Sequence, residues 1–408
     1  MKSHKHKRHA AVIFVFITVT LDVLALGIMI PVFPRLIQGF EGGDTAKAAL
    51  SIGVISTIFA VMQFFCSPII GSLSDKFGRR PLILLSNFGT GMDYILMALA
   101  PDLTWLYVGR VISGIMASSI PTAGAYIADV TPPKKRAAGF GLLGAAFGIG
   151  FVLGPALGGL LGHYSLRLPF WFAAGLSLLN WLYGYFVLPE SLPPRNRSDF
   201  SWKKANPLGS LKLLRSHHEL FGLSMVNFLN FLAHMVLQTV FVLYAGYRYQ
   251  WDERVVGLCL MLVGITSGAV QGGLVGPVVK RFKERKTLLA GLLFGTLGFT
   301  VFGWAPTGLW FMAGVPLLAL WGMNGPAIQG LMTRHVSHRE QGRLQGANSC
   351  IQSIAEIIGP GLFTSIFALF IGDNRPLLLP GAPFFLSAVL VVAAALLAWK
   401  VTQPGRKK

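Results

Sequence analysis

Long apolar runs dominate this sequence and limit what it can fold into. Taking runs of about 20 residues as membrane spans, we predict twelve, at residues 11–33, 48–70, 82–101, 104–127, 137–161, 168–188, 220–246, 254–277, 287–305, 308–331, 343–371 and 380–400. Only 12% of the 408 residues are charged, whereas a soluble chain carries about 25%. The sequence therefore predicts an all-α membrane protein in which most of the chain faces lipid or other apolar helices.

The distribution of basic residues predicts the orientation of the chain. A net charge of +19 does not indicate nucleic-acid binding here, because the charges cluster between apolar runs. With the N-terminus inside, most of the 35 Lys and Arg residues lie in inner segments, so both termini are predicted to be cytoplasmic. The N-terminal segment has no small-residue cleavage site and is predicted to be a retained tail rather than a signal peptide.

A segment rich in proline and charge divides the chain into two halves. We predict an N-terminal six-helix bundle over residues 1–188, a cytoplasmic linker over 189–219 and a C-terminal six-helix bundle over 220–408. Within the linker, residues 208–218 are predicted to form a short basic amphipathic helix on the inner membrane surface. Gly154-Pro155 in span five matches Gly359-Pro360 in span eleven. Such a six-plus-six duplication is the repeat plan of many secondary transporters.

Residues 71–81, Gly-Ser-Leu-Ser-Asp-Lys-Phe-Gly-Arg-Arg-Pro, join spans two and three. They are interpreted as a short basic turn, in which Gly71 and Gly78 allow close backbone approach or positive φ. Asp75 is the lone acid, which fits a charge-assisted pair or a contact at a helix end. A generic inner loop needs only Lys and Arg, whereas this order resembles the signature loop of the major facilitator superfamily. The resemblance implies a gating role for Gly71, Asp75, Gly78, Arg79 and Arg80.

Asp129 lies at the inner end of span four, just before a run of basic residues. Its place favours a gate residue or an ion-pair partner of Arg79 and Arg80 over a substrate ligand.

Span five carries glycines four residues apart, which line one face of a helix and let a neighbouring backbone come close. Packing alone explains that spacing, but not the full pattern G-x8-G-x3-G-P-x2-G-G. This pattern resembles the antiporter motif of drug:proton exporters in the superfamily. The resemblance implies export, and the motif residues are Gly150, Gly154, Pro155, Gly158 and Gly159.

Asp22, Asp93, Arg110 and Glu356 are charged side chains well inside predicted spans. Each costs about 2.5–3.5 kcal/mol at a helix centre on insertion scales. A carboxyl group in a low-dielectric cavity can take up and release a proton near neutral pH, so the three acids are candidates for proton coupling. The alternative for Asp22 or Asp93 is a structural ion pair with Arg110.

A set of polar side chains within the spans could line a substrate cavity. On span seven, Asn227, Asn230, His234 and Gln238 recur three and four residues apart and form a stripe. His234 fits a hydrogen-bonded interior histidine at least as well as a proton carrier. The full set of candidates is Gln63, Arg110, Asn227, Asn230, His234, Gln238, Gln271, Asn324 and Gln329.

Nearly the whole chain resembles the tetracycline:proton antiporters of the superfamily. The matching stretches are Thr20–Pro34, Met92–Tyr94, Leu106–Gly114, Ile127–Asp129 and Glu340–Pro360. The resemblance implies that Asp22 and Asp93 are functionally important carboxylates and that Asp75 and Arg79 are needed for the conformational cycle.

The sequence departs from that family in span nine, where the tetracycline exporters carry an acid tied to coupling. In this chain Gly295 stands at the corresponding position, and Ser267 lies near a histidine position of span eight. Either Glu356 supplies the missing carboxylate, or coupling uses only Asp22 and Asp93. The departure puts tetracycline in doubt more than it does proton-coupled export.

These observations predict the major facilitator fold and a proton-coupled antiporter for a small amphipathic drug-like compound, with tetracycline the first candidate. We expect a monomer in the bacterial inner membrane that needs no cofactor or metal beyond the proton gradient. A tetracycline would travel as a metal chelate. The alternatives are a metabolite transporter with the same fold and a membrane receptor or scaffold. No nucleotide-binding loop or catalytic triad is present, so an enzyme is not expected.

Overall fold

The computed structural model describes residues 2–117, 119–131, 136–200, 202, 206, 211, 213–214, 218–336, 340–373, 375 and 377–403. In this part of the chain there is no β-strand. The α-helices are α1 (Lys2–Met29), α2 (Phe33–Phe40), α3 (Thr45–Phe77), α4 (Arg79–Leu99), α5 (Leu103–Met116), α6 (Ser119–Val130), α7 (Arg136–Tyr164), α8 (Leu168–Val187), α9 (His218–Thr239), α10 (Phe241–Tyr249), α11 (Glu253–Ala269), α12 (Val275–Trp304), α13 (Gly308–Trp321), α14 (Asn324–Thr333), α15 (Gln341–Ile371) and α16 (Ala382–Val401). A 3₁₀ turn at Pro194–Asn196 and a π-helical segment at Val270–Leu274 are also present.

The helices confirm the predicted number of membrane spans. Eleven stretches of the described chain are long and apolar enough to cross a membrane, and one of them, Glu253–Trp304, has 52 residues. One crossing needs only about 20 residues, and the backbone of this stretch breaks at Lys283, where φ is 61°. It therefore holds two spans, which gives the predicted twelve.

The basic turn predicted at residues 71–81 is mostly helical, so that prediction was wrong in its extent. Helix α3 continues to Phe77 and α4 begins at Arg79, which leaves Gly78 alone between them. The φ of Gly78 is 110°, a conformation that glycine adopts readily and other residues avoid. Asp75 and Lys76 do not end α3, because a helix can continue beyond the apolar residues that cross the membrane. The change of direction falls on the one residue that tolerates it.

Three predicted spans are each built from two consecutive helices. Span four divides after Met116, span seven divides at Val240, and span ten divides at residues 322–323. In span ten, Pro326 falls in the first turn of α14, where the missing N–H removes no helical hydrogen bond. The second helix can therefore start afresh at Asn324 and present that side chain at the break.

Backbone contacts divide the chain into two compact units. Unit 1 holds residues 1–40, 58–206 and 252–261, and unit 2 holds residues 41–57, 207–251 and 262–408. Each unit thus combines most of one half of the sequence with a short segment of the other half. The amphipathic helix predicted over residues 208–218 falls largely outside the described residues.

Unit 1 is organised around α1 and α4. Helix α1 packs on α6, α7 and α8, and α4 packs on α5, α6 and α8. A buried cluster joins these helices: Val15, Val19, Val23, Ile83, Ala123, Tyr126, Ile127, Ala146 and Leu188. This packing holds the start of α4 beside the end of α6, where the charged residues of the candidate gate lie.

Unit 2 is organised around α9 and α12. Helix α9 packs on α14, α15 and α16, and α12 packs on α13, α14 and α16. The ring of Phe311 on α13 stacks on Phe302 of α12 with centroids 3.8 Å apart. The Tyr244 hydroxyl donates to the Phe302 carbonyl at 2.9 Å. This aromatic core fixes α13, which carries Trp321 at its other end.

The two matching Gly-Pro pairs pack in equivalent ways, each within its own unit. In unit 1, a Cβ on Gly154 would lie 2.7 Å from the Cα of Gly27 on α1. In unit 2, a Cβ on Gly359 would lie 2.5 Å from the Cβ of Met235 on α9. Span five thus packs tightly on span one, and span eleven on span seven, as expected if the two halves arose by duplication.

Candidate functional site

Arg79 is the centre of an ion-pair cluster at the junction of α3 and α4. Its Nη1 lies 2.6 Å from Asp75 Oδ1, and its Nε lies 3.1 Å from Asp129 Oδ2. Nη1 also donates to the Ser74 hydroxyl at 2.6 Å. Arg79 is only 9% exposed, whereas the side chains of Asp75 and Asp129 are 40% and 23% exposed, so these charge-assisted bonds are partly shielded from water. The structure thus brings together three of the four charged residues that the sequence singled out for a gate, namely Asp75, Arg79 and Asp129.

Arg80 and the two loop glycines play different parts. The Arg80 side chain donates from Nη2 to the Tyr185 carbonyl at 2.6 Å, so it holds α8 rather than Asp129. Gly78 has the positive φ that was expected of it. Within the described chain, a Cβ on Gly71 would have nothing within 4 Å, so the expectation of close backbone approach at Gly71 was wrong.

Glu190 completes the gate cluster, although the sequence analysis did not single it out. Its Oε1 accepts from the Arg79 backbone N–H at 2.9 Å, and its Oε2 accepts from the Arg80 backbone N–H at 3.3 Å. The carboxylate therefore caps the N-terminus of α4, where free N–H groups and the helix dipole favour an anion. An acid directly after span six, in a segment rich in basic residues, is the signal that could have found it.

The motif glycines of α7 form a surface on which α1 lies almost in backbone contact. A Cβ on Gly150 would lie 2.6 Å from Val23 Cγ1, and one on Gly158 would collide with the backbone carbonyl of Ile28. Because the obstacles include backbone atoms, side-chain rotation cannot relieve them. The glycines spaced four residues apart thus serve helix packing, which is the explanation that the spacing alone suggested.

A second face of α7 packs against the start of α11, which belongs to the same unit. A Cβ on Gly159 would meet the Glu253 carbonyl and would lie 3.1 Å from the Cα of Gly257. A Cβ on Gly257 would in turn meet the carbonyl of Pro155. The full motif therefore holds two neighbours at once, which a simple stripe with a spacing of four would not do.

Asp93 is buried between α4 and α5 together with the one basic residue predicted inside a span. It is 1% exposed, and its Oδ2 lies 3.5 Å from Arg110 Nη2. The Ser113 hydroxyl also donates to Oδ2. The Arg110 guanidinium lies 4.9 Å from the ring centroid of Phe33 and 5.8 Å from that of Phe59. The pairing with Arg110 that the sequence left as an alternative is therefore present.

Asp22 lies at a different interface of unit 1, between α1 and α8. Asn180 Nδ2 donates to Asp22 Oδ1 at 2.8 Å and to the Thr18 carbonyl at 3.0 Å. Asn180 is fully buried, so it fixes the orientation of the Asp22 carboxyl group. The sequence analysis missed Asn180, because a single amide in an apolar span has many structural explanations.

Polar candidates of unit 2 meet where α9 faces the break between α13 and α14. Asn230 and Asn324 exchange two amide hydrogen bonds of 3.0 Å. The His234 ring lies 5.6 Å from that of Trp321, and Gln238 Nε2 lies 3.5 Å from His234 Nδ1. Trp321 adds an aromatic face that the sequence analysis did not include.

The remaining polar candidates are more scattered. Gln271 lies in the π-helical segment, with its Nε2 3.8 Å from a Cβ built on Gly322. Asn348 donates to Gln329 Oε1 at 3.0 Å, away from the Asn230 pair. Asn227 is buried on α9, and Gln63 is half-buried on α3.

Gly295, which the family resemblance sets against a span-nine acid, is covered by Trp321. A Cβ on Gly295 would lie 2.8 Å from both Cγ and Nε1 of the indole. The structure therefore leaves no room for a carboxylate there, and an aromatic ring occupies its place.

Glu356 is half-buried on α15, where Gln352 Nε2 donates to its Oε1 at 2.9 Å on the same helix. In the described residues no group of His, Cys, Asp and Glu has the arrangement of a metal site.

The chain matches the sequence profile of the Major Facilitator Superfamily over residues 12–360 and 223–408. It is 38% identical to the tetracycline resistance protein of class C from Escherichia coli over 362 residues, which are 89% of this chain and 91% of that protein. It is 35% identical to the class G protein from Vibrio anguillarum over 368 residues, or 90% of this chain and 92% of that protein.

A similar fold is found in a crystal structure of a bacterial homologue of the human lysosomal transporter Spinster. The TM-score is 0.77 at 18% identity, and the match covers 97% of each chain. At this level of identity the likeness shows the fold alone.

Proposed function

Because this chain belongs to the major facilitator superfamily and is a multi-pass membrane transporter, we propose that it is a proton-coupled antiporter that exports a small amphipathic drug-like compound. Tetracycline is the first compound to test, because it gives the relatives their name. The single observation that carries the proposal is the buried carboxyl group of Asp93 beside Arg110. A side chain so costly to bury in a membrane is by default a functional candidate.

Proton binding at Asp93 would change what holds α4 to α5. The charged carboxylate attracts the Arg110 guanidinium, and a proton removes most of that attraction. Arg110 then keeps the faces of Phe33 and Phe59, which attract a cation more weakly than a carboxylate does. A conformational cycle needs such a change of partners between its states.

Asp22 offers a second proton-binding group in unit 1. The hydrogen bond from Asn180 holds its carboxyl group towards α8, so a proton on Asp22 would weaken the contact between α1 and α8. Glu356 is the candidate proton-binding group in unit 2. Its partner on the same helix, Gln352, is a neutral amide and does not balance a negative charge on the carboxylate.

The polar surface on α9, α13 and α14 supports a planar, hydrogen-bonding substrate. The Trp321 ring offers an apolar face, and the amides of Asn230, Asn324 and Gln238 offer donors and acceptors beside it. Ligand sites commonly pair an apolar wall with a few polar groups in this way. At Gly295 the chain has no acid, and Trp321 covers the position. A cationic metal chelate would therefore bind without the span-nine carboxylate that the family resemblance implies.

Two kinds of contact support an alternating-access cycle in the bacterial inner membrane. The Arg79 cluster would act as an inner gate, and the α7 motif would hold α1 and the start of α11 together. The basic inner segments support cytoplasmic termini.

Transport by purified protein in vesicles tests the proposal. With an imposed pH gradient, we expect a drug panel to include compounds whose movement is coupled to opposite proton flow. Asp373→Asn, an exposed acid-to-amide change outside the spans, serves as the matched control and should leave exchange intact.

The same assay tests two further points. Glu356→Gln tests the proton-binding candidate of unit 2, and tetracycline with and without Mg²⁺ tests whether the drug moves as a metal chelate. Flow of drug and proton in the same direction would favour a metabolite-type symporter. Absence of flux for every compound would favour a receptor or scaffold.

A further inference from the structure

We propose that Glu190 is a positioning residue of the transport cycle, which locks α4 and the segment after α8 to the Arg79 cluster. This inference rests on the proposed function, because a lock matters only in a protein whose inner surface opens and closes. It adds to the gate a residue that lies 110 positions or more from Arg79 and Arg80 in sequence.

The Glu190 carboxylate binds three backbone N–H groups. Oε1 accepts from Arg79 and from Leu192, each at 2.9 Å, and Oε2 accepts from Arg80 at 3.3 Å. Two of these N–H groups open α4, a helix of 21 residues, and have no partner within the helix. One side chain therefore fastens the start of α4 to its own segment.

Gly78 gives this carboxylate its place. A Cβ on Gly78 would collide with Oε2 of Glu190 and would lie 2.7 Å from its Cδ. The φ of 110° already favours glycine at this position. Two features therefore favour glycine at position 78: its positive φ and the close approach of the Glu190 carboxylate.

The segment around Glu190 is tied to the gate by further bonds. The Ser191 hydroxyl donates to Asp129 Oδ2 at 3.2 Å, the same oxygen that Arg79 contacts. The Tyr126 hydroxyl donates to the Pro189 carbonyl at 2.8 Å, and the Ser198 N–H donates to the Asp75 carbonyl at 3.1 Å. As long as Glu190 stays bound to α4, movement of α4 away from α6 would have to break the Ser191 and Tyr126 bonds along with the Arg79–Asp129 pair.

A helix cap alone would stabilise the fold without affecting the cycle, so the test must separate the two roles. Glu190→Gln keeps the size and one acceptor but loses the charge, and Glu190→Asp keeps the charge on a shorter arm. Asp199→Asn is the matched control, because Asp199 is an exposed acid in the same segment. Drug binding and the dependence of efflux on drug concentration are measured for all variants.

We expect Glu190→Gln to lower the maximal rate of efflux about tenfold, while KM and equilibrium binding stay within about twofold of the values of the unaltered protein. Glu190→Asp should restore part of the rate, and Asp199→Asn should match the unaltered protein. Equal rates in Glu190→Gln and Asp199→Asn would overturn the proposal. So would a parallel loss of rate, binding and protein amount in both Glu190 variants, because that pattern belongs to a purely structural cap.

A second readout does not depend on transport and so separates this inference from the proposed function. In a chain without its native cysteines, Leu82→Cys places a thiol at a buried position near the start of α4. Glu190→Gln should raise its rate of labelling by an impermeant maleimide about threefold or more, because α4 is released from its cap. An unchanged labelling rate would contradict the lock even if the protein exports drugs.

Discussion

Arg110 and Asp93 show how much a single buried charge constrains this chain. Arg110 is 8% exposed and Asp93 is 1% exposed, so neither charge has water to replace its partner. Removing one member of such a pair typically costs about 3–5 kcal/mol, because the other is left buried and uncompensated. The pair is therefore well suited to a switch in which a proton, rather than a mutation, cancels one charge.

Trp321 and Gly295 give a residue-scale prediction on the departure from the tetracycline exporters. Gly295→Ala should lower the free energy of unfolding by about 1–3 kcal/mol, because its Cβ would press on the indole. Gly276→Ala on the same helix is the control, since a Cβ there meets nothing within 4 Å in the described chain. Thermal unfolding in detergent measures both variants, and equal melting temperatures would contradict the contact.

The α7 motif carries the first prediction at the scale of whole elements. Gly158→Ala should separate α7 from α1 and reduce both stability, by about 1–3 kcal/mol, and efflux. Gly148→Ala is the control on the same helix, because a Cβ on Gly148 has nothing within 4 Å in the described chain. Melting temperatures and efflux rates check the pair. If Gly158→Ala behaved like Gly148→Ala, the close approach of α1 would be refuted.

The junction of α3 and α4 gives a second prediction at the scale of whole elements. Asp75→Asn or Arg79→Ala should block efflux while drug binding remains, because the cluster joins α3, α4 and α6 of unit 1 and contains none of the polar residues of unit 2. Lys76→Ala, at the exposed neighbouring position, is expected to leave efflux unchanged. Equilibrium binding and efflux are measured on the same preparations. Joint loss of binding and efflux in a folded variant would instead indicate a direct ligand role.

Elements were predictable from sequence where the signal is local. Hydropathy located the membrane spans, because an apolar run reports its own burial. The same signal could not show that α3 runs on to Phe77 or that a π-helical segment interrupts span eight at Val270–Leu274. Helix ends depend on φ at one residue, as at Gly78, and on caps supplied from elsewhere.

At the scale of the whole molecule, the two sequence halves and the two compact units are not the same thing. Residues 41–57 belong to unit 2 and residues 252–261 to unit 1. Within unit 1, Arg35 Nε lies 3.5 Å from Glu253 Oε1, which ties the end of span one to the start of span eight. Hydropathy and repeats predict the halves, but only contacts distant in sequence reveal such exchanges.

The same reasoning explains which site residues the sequence could supply. Asp93, Arg79 and the α7 glycines stand out because charges and glycines are conspicuous in apolar runs. Trp321 contacts Gly295, 26 residues away in the chain, while Glu190 binds Arg79 over 111 residues and Asn180 binds Asp22 over 158 residues. No local pattern marks them.

The central claim is that Asp93 and Asp22 of unit 1 couple drug export to protons. The most direct test compares two assays on Asp93→Asn and Asp22→Asn in vesicles: exchange driven by a pH gradient, and exchange of labelled for unlabelled drug without a gradient. The account predicts that each variant loses gradient-driven export but keeps drug-for-drug exchange, because binding survives while proton binding is lost. Full gradient-driven export in both variants at neutral pH would contradict it.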